Sequence, residues 1–211
     1  MPSSLESSNT KSRHLRDSNM NTHSNLTSPQ NEITIVTHCS VDYLVYLPYM
    51  IERWSGPIII SVLIDSNGVL ALQKFKQNHH FSSQVTFIPV KKDNNAIYPI
   101  NKLRNISIKA VTTKYMLILD IDMLPSVDLD QSLLSLPSSL LNNSKNVIVV
   151  PAFEYKYRKQ FSNKESVLNS ISNSYPKDKK ELVDCIDTYD CLPIHYQANT
   201  HLYIYIYNYL F

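Results

Sequence analysis

From Glu32 onward the chain alternates between short apolar runs and stretches whose apolar residues fall three or four apart. That alternation is the pattern of a protein built from strands and helices in turn. Glu32–His38 (EITIVTH), Ile58–Ile64 (IIISVLI), Gln84–Val90 (QVTFIPV), Tyr115–Leu119 (YMLIL) and Val147–Val150 (VIVV) read as strands. Ile58–Ile64, Tyr115–Leu119 and Val147–Val150 are nearly continuous apolar runs, which suits strands covered on both faces. Val41–Trp54, Val69–Asn78, Asn101–Val111, Asp128–Leu141 and Lys177–Tyr189 read as helices. The first has Ser40 as its cap and Leu44, Leu47, Ile51 and Trp54 near helical spacing; Pro48 is expected to kink it. In Asn101–Val111, Leu103, Ile106, Ala110 and Val111 form the face expected to pack on the sheet. Asn101, Arg104 and Asn105, at i, i+3 and i+4, share the polar side.

The flanks differ. Residues 1–31 are rich in Ser, Asn and Thr and carry no apolar run, so they are expected to be disordered and to be neither signal peptide nor membrane anchor. Tyr155–Ser174 is polar and reads as a loop. Leu202–Phe211 is uncharged, rich in Ile and Tyr, too short to span a bilayer, and β-prone. The expected organisation is a polar segment over 1–31, a folded domain over 32–196 and an atypical apolar tail over 197–211.

Composition narrows the chemistry. The 211 residues are 43% hydrophobic and 18% charged, enough for one sizeable core. A formal net charge of +2 without any Lys/Arg run argues against nucleic acid as a partner. Only 2 glycines occur, so a Gly-rich phosphate loop is excluded, and any phosphate must be held by metal, side chains or helix N-termini. Of the 3 cysteines, Cys185 and Cys191 either pair in an oxidising compartment or remain free thiols, and no Cys/His spacing suggests zinc. Sequons stand at Asn25, Asn105 and Asn142; Asn105 falls inside a helix, where glycosylation is not expected.

Asp120 and Asp122 follow the strand Tyr115–Leu119 at once. Side chains alternate along a strand, so the two carboxylates leave the sheet on the same side, at the edge where open α/β sheets bind ligands. Such a pair suits a hard divalent cation carrying a diphosphate. Aspartate at a strand end also starts turns and caps helices, and the same reading applies to Asp65 after Ile64. A phosphatase of the haloacid dehalogenase type also places Asp-x-Asp after a buried strand, but Leu124 and Pro125 fit that chemistry poorly.

The blocks YPxNxLRNxxI from Tyr98, TxxYMxxxDIDxLPS through Ser126 and VPAFE at Val150–Glu154 resemble glycosyltransferase family 49, as does IVTHCSVDYL…WSGPIIISVLID upstream. This family includes LARGE-type glucuronyltransferase domains and the β-1,4-glucuronyltransferase of dystroglycan glycan synthesis. The resemblance covers roughly Ile33 to Tyr196. It implies an α/β GT-A type fold, a Rossmann-like mixed sheet flanked by helices, here incomplete. It also implies a UDP-sugar donor with Mn²⁺, a glycan or glycoprotein acceptor, and the Golgi lumen. Asp122 and Asp120 are the implied metal residues, and Asn101, Arg104, Asn105 and Asp120 the implied contacts to the nucleotide-sugar. Glu154 is placed by analogy at the same edge, and Leu192–His195 resembles the segment leading to the acceptor part. The family's further block, with its downstream histidine and catalytic carboxylate, has no counterpart in YQANTHLYIYIYNYLF, so no catalytic base is assigned. The tail is expected to be an out-of-frame or intron-derived ending on a truncated member. The alternative to an active glycosyltransferase is a non-catalytic remnant that keeps at most nucleotide-sugar binding.

Overall fold

In a computed structural model, the residues described are 32–79, 81–93, 97–155 and 175–194. The polar N-terminal segment, most of the loop from Tyr155, His195 and the apolar tail lie outside them. A parallel sheet forms the body, in the order β3-β2-β1-β4, from β1 (Ile33–Ser40), β2 (Ile58–Ile64), β3 (Val85–Lys91) and β4 (Tyr115–Ile118). A small antiparallel pair joins β5 (Phe153–Tyr155) to β6 (Cys191–Pro193). Parallel and antiparallel pairings thus occupy separate sheets, with helices α1 (Leu47–Ile51), α2 (Gly68–Asn78), α3 (Ile100–Lys109), α4 (Leu129–Leu134), α5 (Ser138–Leu141) and α6 (Lys179–Asp187) between and around them. This is the expected α/β, GT-A-like architecture. No helix among the described residues is long and apolar enough to cross a membrane.

The core forms where the apolar runs meet. β1 and β2, at the centre of the sheet, are buried along almost their whole length. Ile35, Ile58, Ile60 and Val62 pack there with Leu44, Leu47, Met50 and Trp54. Gly56 lets the chain enter β2: a Cβ at this position would come within 2.5 Å of the Ile33 carbonyl oxygen. α3 crosses β1 and β2 through a buried polar contact. Ser107 Oγ lies 2.7 Å from Ser61 Oγ and donates to the Thr37 carbonyl at 3.0 Å.

Four elements depart from their expected form. Val41–Trp54 is not one kinked helix. Val41–Tyr46 is a 3₁₀ helix, and α1 starts at Leu47 with Pro48 in its first turn. A proline ring clashes with the carbonyl four residues back, so the α-helix begins at the proline instead of running through it. Asp128–Leu141 is likewise split into α4 and α5 around Pro137. Val147–Val150 is irregular: Val147 and Val149 are exposed, while Ile148 and Val150 pack on the core. The alternation of a strand is present there, but among the described residues no neighbouring strand pairs with it. β4 is covered on one face only, since Tyr115 and Leu117 pack inward and Met116 and Ile118 are exposed.

Candidate active site

The parallel strands end together, and the turns that leave them face the same edge. After β2, Asp65 accepts hydrogen bonds from the backbone N–H groups of Asn67 (3.1 Å) and Gly68 (2.8 Å), so it serves as the turn that opens α2. Beyond β4 the backbone continues one step along β1, with the Leu119 N–H donating to the Val36 carbonyl at 3.1 Å. It then turns over Asp120–Met123, whose carbonyl and N–H pair at 3.0 Å. Ile121 points into the core, Asp120 is half-buried and Asp122 is exposed.

Arg104, midway along α3, reaches Asp120. Its guanidinium donates to Oδ1 at 2.6 Å, and the two side chains keep 34% and 40% of their surface exposed. Asn101 and Asn105 lie on the exposed side of the same helix. Arg104 is therefore brought to the aspartate pair, and the asparagines flank it without joining that contact. Glu154 sits in β5, opposite Leu192 of β6, in the small sheet rather than at the end of a parallel strand. Its expected place at the ligand edge depends on a strand over Val147–Val150 leading into it, and that strand does not form.

Two residues at this edge escape the sequence reading. His38, in β1, is 8% exposed; its Nδ1 lies 3.0 Å from the Tyr98 hydroxyl and its Nε2 3.6 Å from Asp120 Oδ1. Burial lowers the His38 pKa, the neighbouring Arg104 lowers it further, and Asp120 and Asp122 pull the other way. The imidazole is therefore neutral near pH 7, and its approach to Asp120 is a polar contact rather than an ion pair. Burial pushes the Tyr98 hydroxyl well above the usual phenol range, helped by Cys39, Asp120 and Asp42, so it remains a hydrogen-bond donor. His38 is hidden because it closes an apolar run and reads as one more strand residue. Tyr98 is visible only as a letter of the family motif.

The donor set fits a hard divalent cation. Both candidate ligands are carboxylates, one oxygen of Asp120 is held inward by Arg104, and the side chains of both remain open to solvent. No third His, Cys, Asp or Glu completes a metal cluster with them among the described residues. Ions of the Mg²⁺ type are commonly held in this way, by one or two carboxylates, with substrate phosphates and water filling the remaining positions.

The parallel α/β sheet, with Asp120 and Asp122 in the turn that follows β4, has the architecture of an incomplete GT-A-like core. The sequence profile of the family described as "Glycosyl-transferase for dystroglycan" matches residues 70–201, and the chain belongs to that family. It is 30% identical over 160 residues to the xylosyl- and glucuronyltransferase LARGE1 of Mus musculus, across 74% of this chain and 19% of that protein. It is 31% identical over 166 residues to LARGE1 of Danio rerio, across 76% of this chain and 20% of that protein. It is 33% identical over 125 residues to the glycosyltransferase-like protein gnt14 of Dictyostelium discoideum, across 57% of this chain and 20% of that protein. The chain thus spans about a fifth of the length of the curated relatives it matches. Family membership displaces the phosphatase reading of Asp120 and Asp122.

Proposed function

We propose that this chain binds a UDP-sugar with Mn²⁺ and takes part in transferring the sugar to a glycan or glycoprotein acceptor, with inversion at the anomeric carbon. Glucuronic acid is the favoured sugar. The observation that carries the reading is the Asp120–Asp122 turn beyond β4, held by Arg104, in a chain of a glycosyltransferase family. The names of the LARGE relatives support xylose or glucuronic acid as the sugar class.

In this reading Asp122 holds the cation directly, and Asp120 holds it through water or binds the ribose. A bound divalent cation neutralises charge that builds on the leaving diphosphate. Arg104 fixes the Asp120 carboxylate, which spares it from searching rotamers when the donor arrives. Asn101 and Asn105, exposed one turn apart on α3, are positioned to meet the polar parts of the donor. Inversion also requires a base that deprotonates the acceptor hydroxyl. That role is left unassigned.

Calorimetry with UDP, with and without Mn²⁺, tests the reading in the wild type and in Asp122→Asn. Saturable binding that needs Mn²⁺ and is lost in the variant supports it. A folded chain that binds no UDP under either condition removes it. Binding without transfer of sugar to any glycan acceptor favours the non-catalytic alternative.

A further inference from the structure

We infer that His38 is a positioning residue of the donor site: its Nε2–H, set by a hydrogen bond from Tyr98 to Nδ1, holds the inner oxygen of Asp120 and so selects the oxygen that the carboxylate offers to a cation–diphosphate ligand. The inference rests on reading Asp120 as a donor-site carboxylate.

The register of the sheet creates the contact. Val36 of β1 pairs with Ile118, the last residue of β4, and the Leu119 N–H still bonds the Val36 carbonyl, so the turn that follows brings Asp120 beside His38, two residues further along β1. The imidazole is buried, and its Nε2 has no hydrogen-bond partner within normal range. A buried polar nitrogen left unpaired is unfavourable, so the site gains by closing the 3.6 Å gap to Asp120 Oδ1. A movement of about half an ångström is sufficient to reach hydrogen-bond range.

The tautomer is set by the groups on each side of the ring. A neutral imidazole has one N–H and one bare nitrogen. If Nδ1 carried the hydrogen and donated it to Tyr98, the lone pair of Nε2 would face a carboxylate in a buried position. If the Tyr98 hydroxyl donates to Nδ1, Nε2 carries the hydrogen and points it at Asp120. The second arrangement gives Nδ1 a donor at 3.0 Å and aims an N–H at the carboxylate instead of a lone pair. Arg104 already donates to the same Oδ1 at 2.6 Å, so closing the gap from His38 would bring two donors from different elements onto one oxygen. The other oxygen is left as the outward one. Partners of this kind orient a metal-binding carboxylate without touching the metal.

Three variants of the full chain test this. His38→Gln keeps an N–H at the reach of Nε2, His38→Asn reaches only as far as Nδ1, and Tyr98→Phe keeps the ring and removes the O–H. UDP titrations at saturating Mn²⁺ are expected to show binding weakened by about tenfold or more in His38→Asn and Tyr98→Phe, but by no more than about twofold in His38→Gln. Thermal midpoints of the two His38 variants should agree. In ¹⁵N-histidine spectra of the wild type, the resonance that His38→Gln lacks should show a protonated Nε2 and a bare Nδ1. The opposite tautomer, equal weakening in the Gln and Asn variants, or unchanged binding in all three overturns the inference and leaves the donor-site reading standing. A wild-type chain without Mn²⁺-dependent UDP binding overturns both.

Discussion

Cys39 shows what this core does to a single ionisable group. The thiol is 2% exposed, and burial, aided by Asp42, pushes its pKa from 9.0 to about 12. A pKa raised on folding means that the folded chain resists losing this proton. The associated stability is complete below pH 9 and is lost as pH rises from 9 to about 12. The expected slope is about 1.4 kcal/mol per pH unit in that window. Urea unfolding of the wild type and Cys39→Ala across it should show the two stability curves converging as pH rises. Parallel curves would mean that the thiol does not contribute. At neutral pH the same burial leaves Cys39 unreactive to alkylating reagents until the chain unfolds. Arg104 behaves differently, because its ion pair with Asp120 is partly solvated and adds little stability. Arg104→Met is therefore expected to leave the thermal midpoint within a few degrees and to weaken Mn²⁺-dependent UDP binding by about tenfold. A large fall in midpoint with binding intact would reverse that assignment. The meeting of Arg104 with Asp120 was legible because a strand end and helix spacing place them at one edge, whereas Asp122 lies in the turn past β4, where strand alternation no longer applies. His38 was not, since only the β1–β4 register, a property of two distant segments, brings it to Asp120.

At the level of elements, α3 is tied to the sheet by hydroxyls rather than by aliphatic packing alone. Ser107 is fully buried, and its Oγ satisfies both Ser61 and the Thr37 carbonyl. Ser107→Ala leaves the Ser61 hydroxyl without its Ser107 partner and should cost about 1–3 kcal/mol in chemical denaturation. Because α3 also carries Arg104, UDP binding should fall with it, and a variant that loses stability with unchanged affinity would uncouple the two. The central strands were readable because β1 and β2 are buried along almost their whole length, so apolar residues predominate there even with Thr34, Thr37, His38 and Ser61 among them. Element boundaries were less readable around prolines. Pro48 and Pro137 start helices here, whereas apolar spacing carries a sequence reading straight through them. Ser107 falls on the face read as apolar from Leu103 and Ile106, and a hydroxyl at a helix–sheet contact leaves no mark in hydrophobic periodicity.

On the scale of the whole molecule, the parallel sheet ends at β4 with an edge that the described residues leave unpaired. β1 bonds one side of β4, while Met116 and Ile118 stand 46% and 47% exposed on one of its faces. An edge strand with apolar side chains and free backbone donors and acceptors is a template for another chain. Elsewhere among the described residues, Cys185 and Cys191 are joined as a disulfide that links α6 to β6, and β6 pairs with β5. The two weak points therefore separate. Reduction of the disulfide should loosen the α6–β6 region locally, whereas association should follow the β4 edge. The 211-residue chain is expected to self-associate as its concentration rises, seen as growing weight-average mass in sedimentation. Met116→Lys puts a charge on that face four residues before Asp120, so it should suppress association while leaving Mn²⁺-dependent UDP binding unchanged. Association that persists in Met116→Lys would place the adhesive surface elsewhere. Loss of UDP binding in the same variant would show that β4 and the Asp120 turn move as one unit, so that the edge belongs to the donor site.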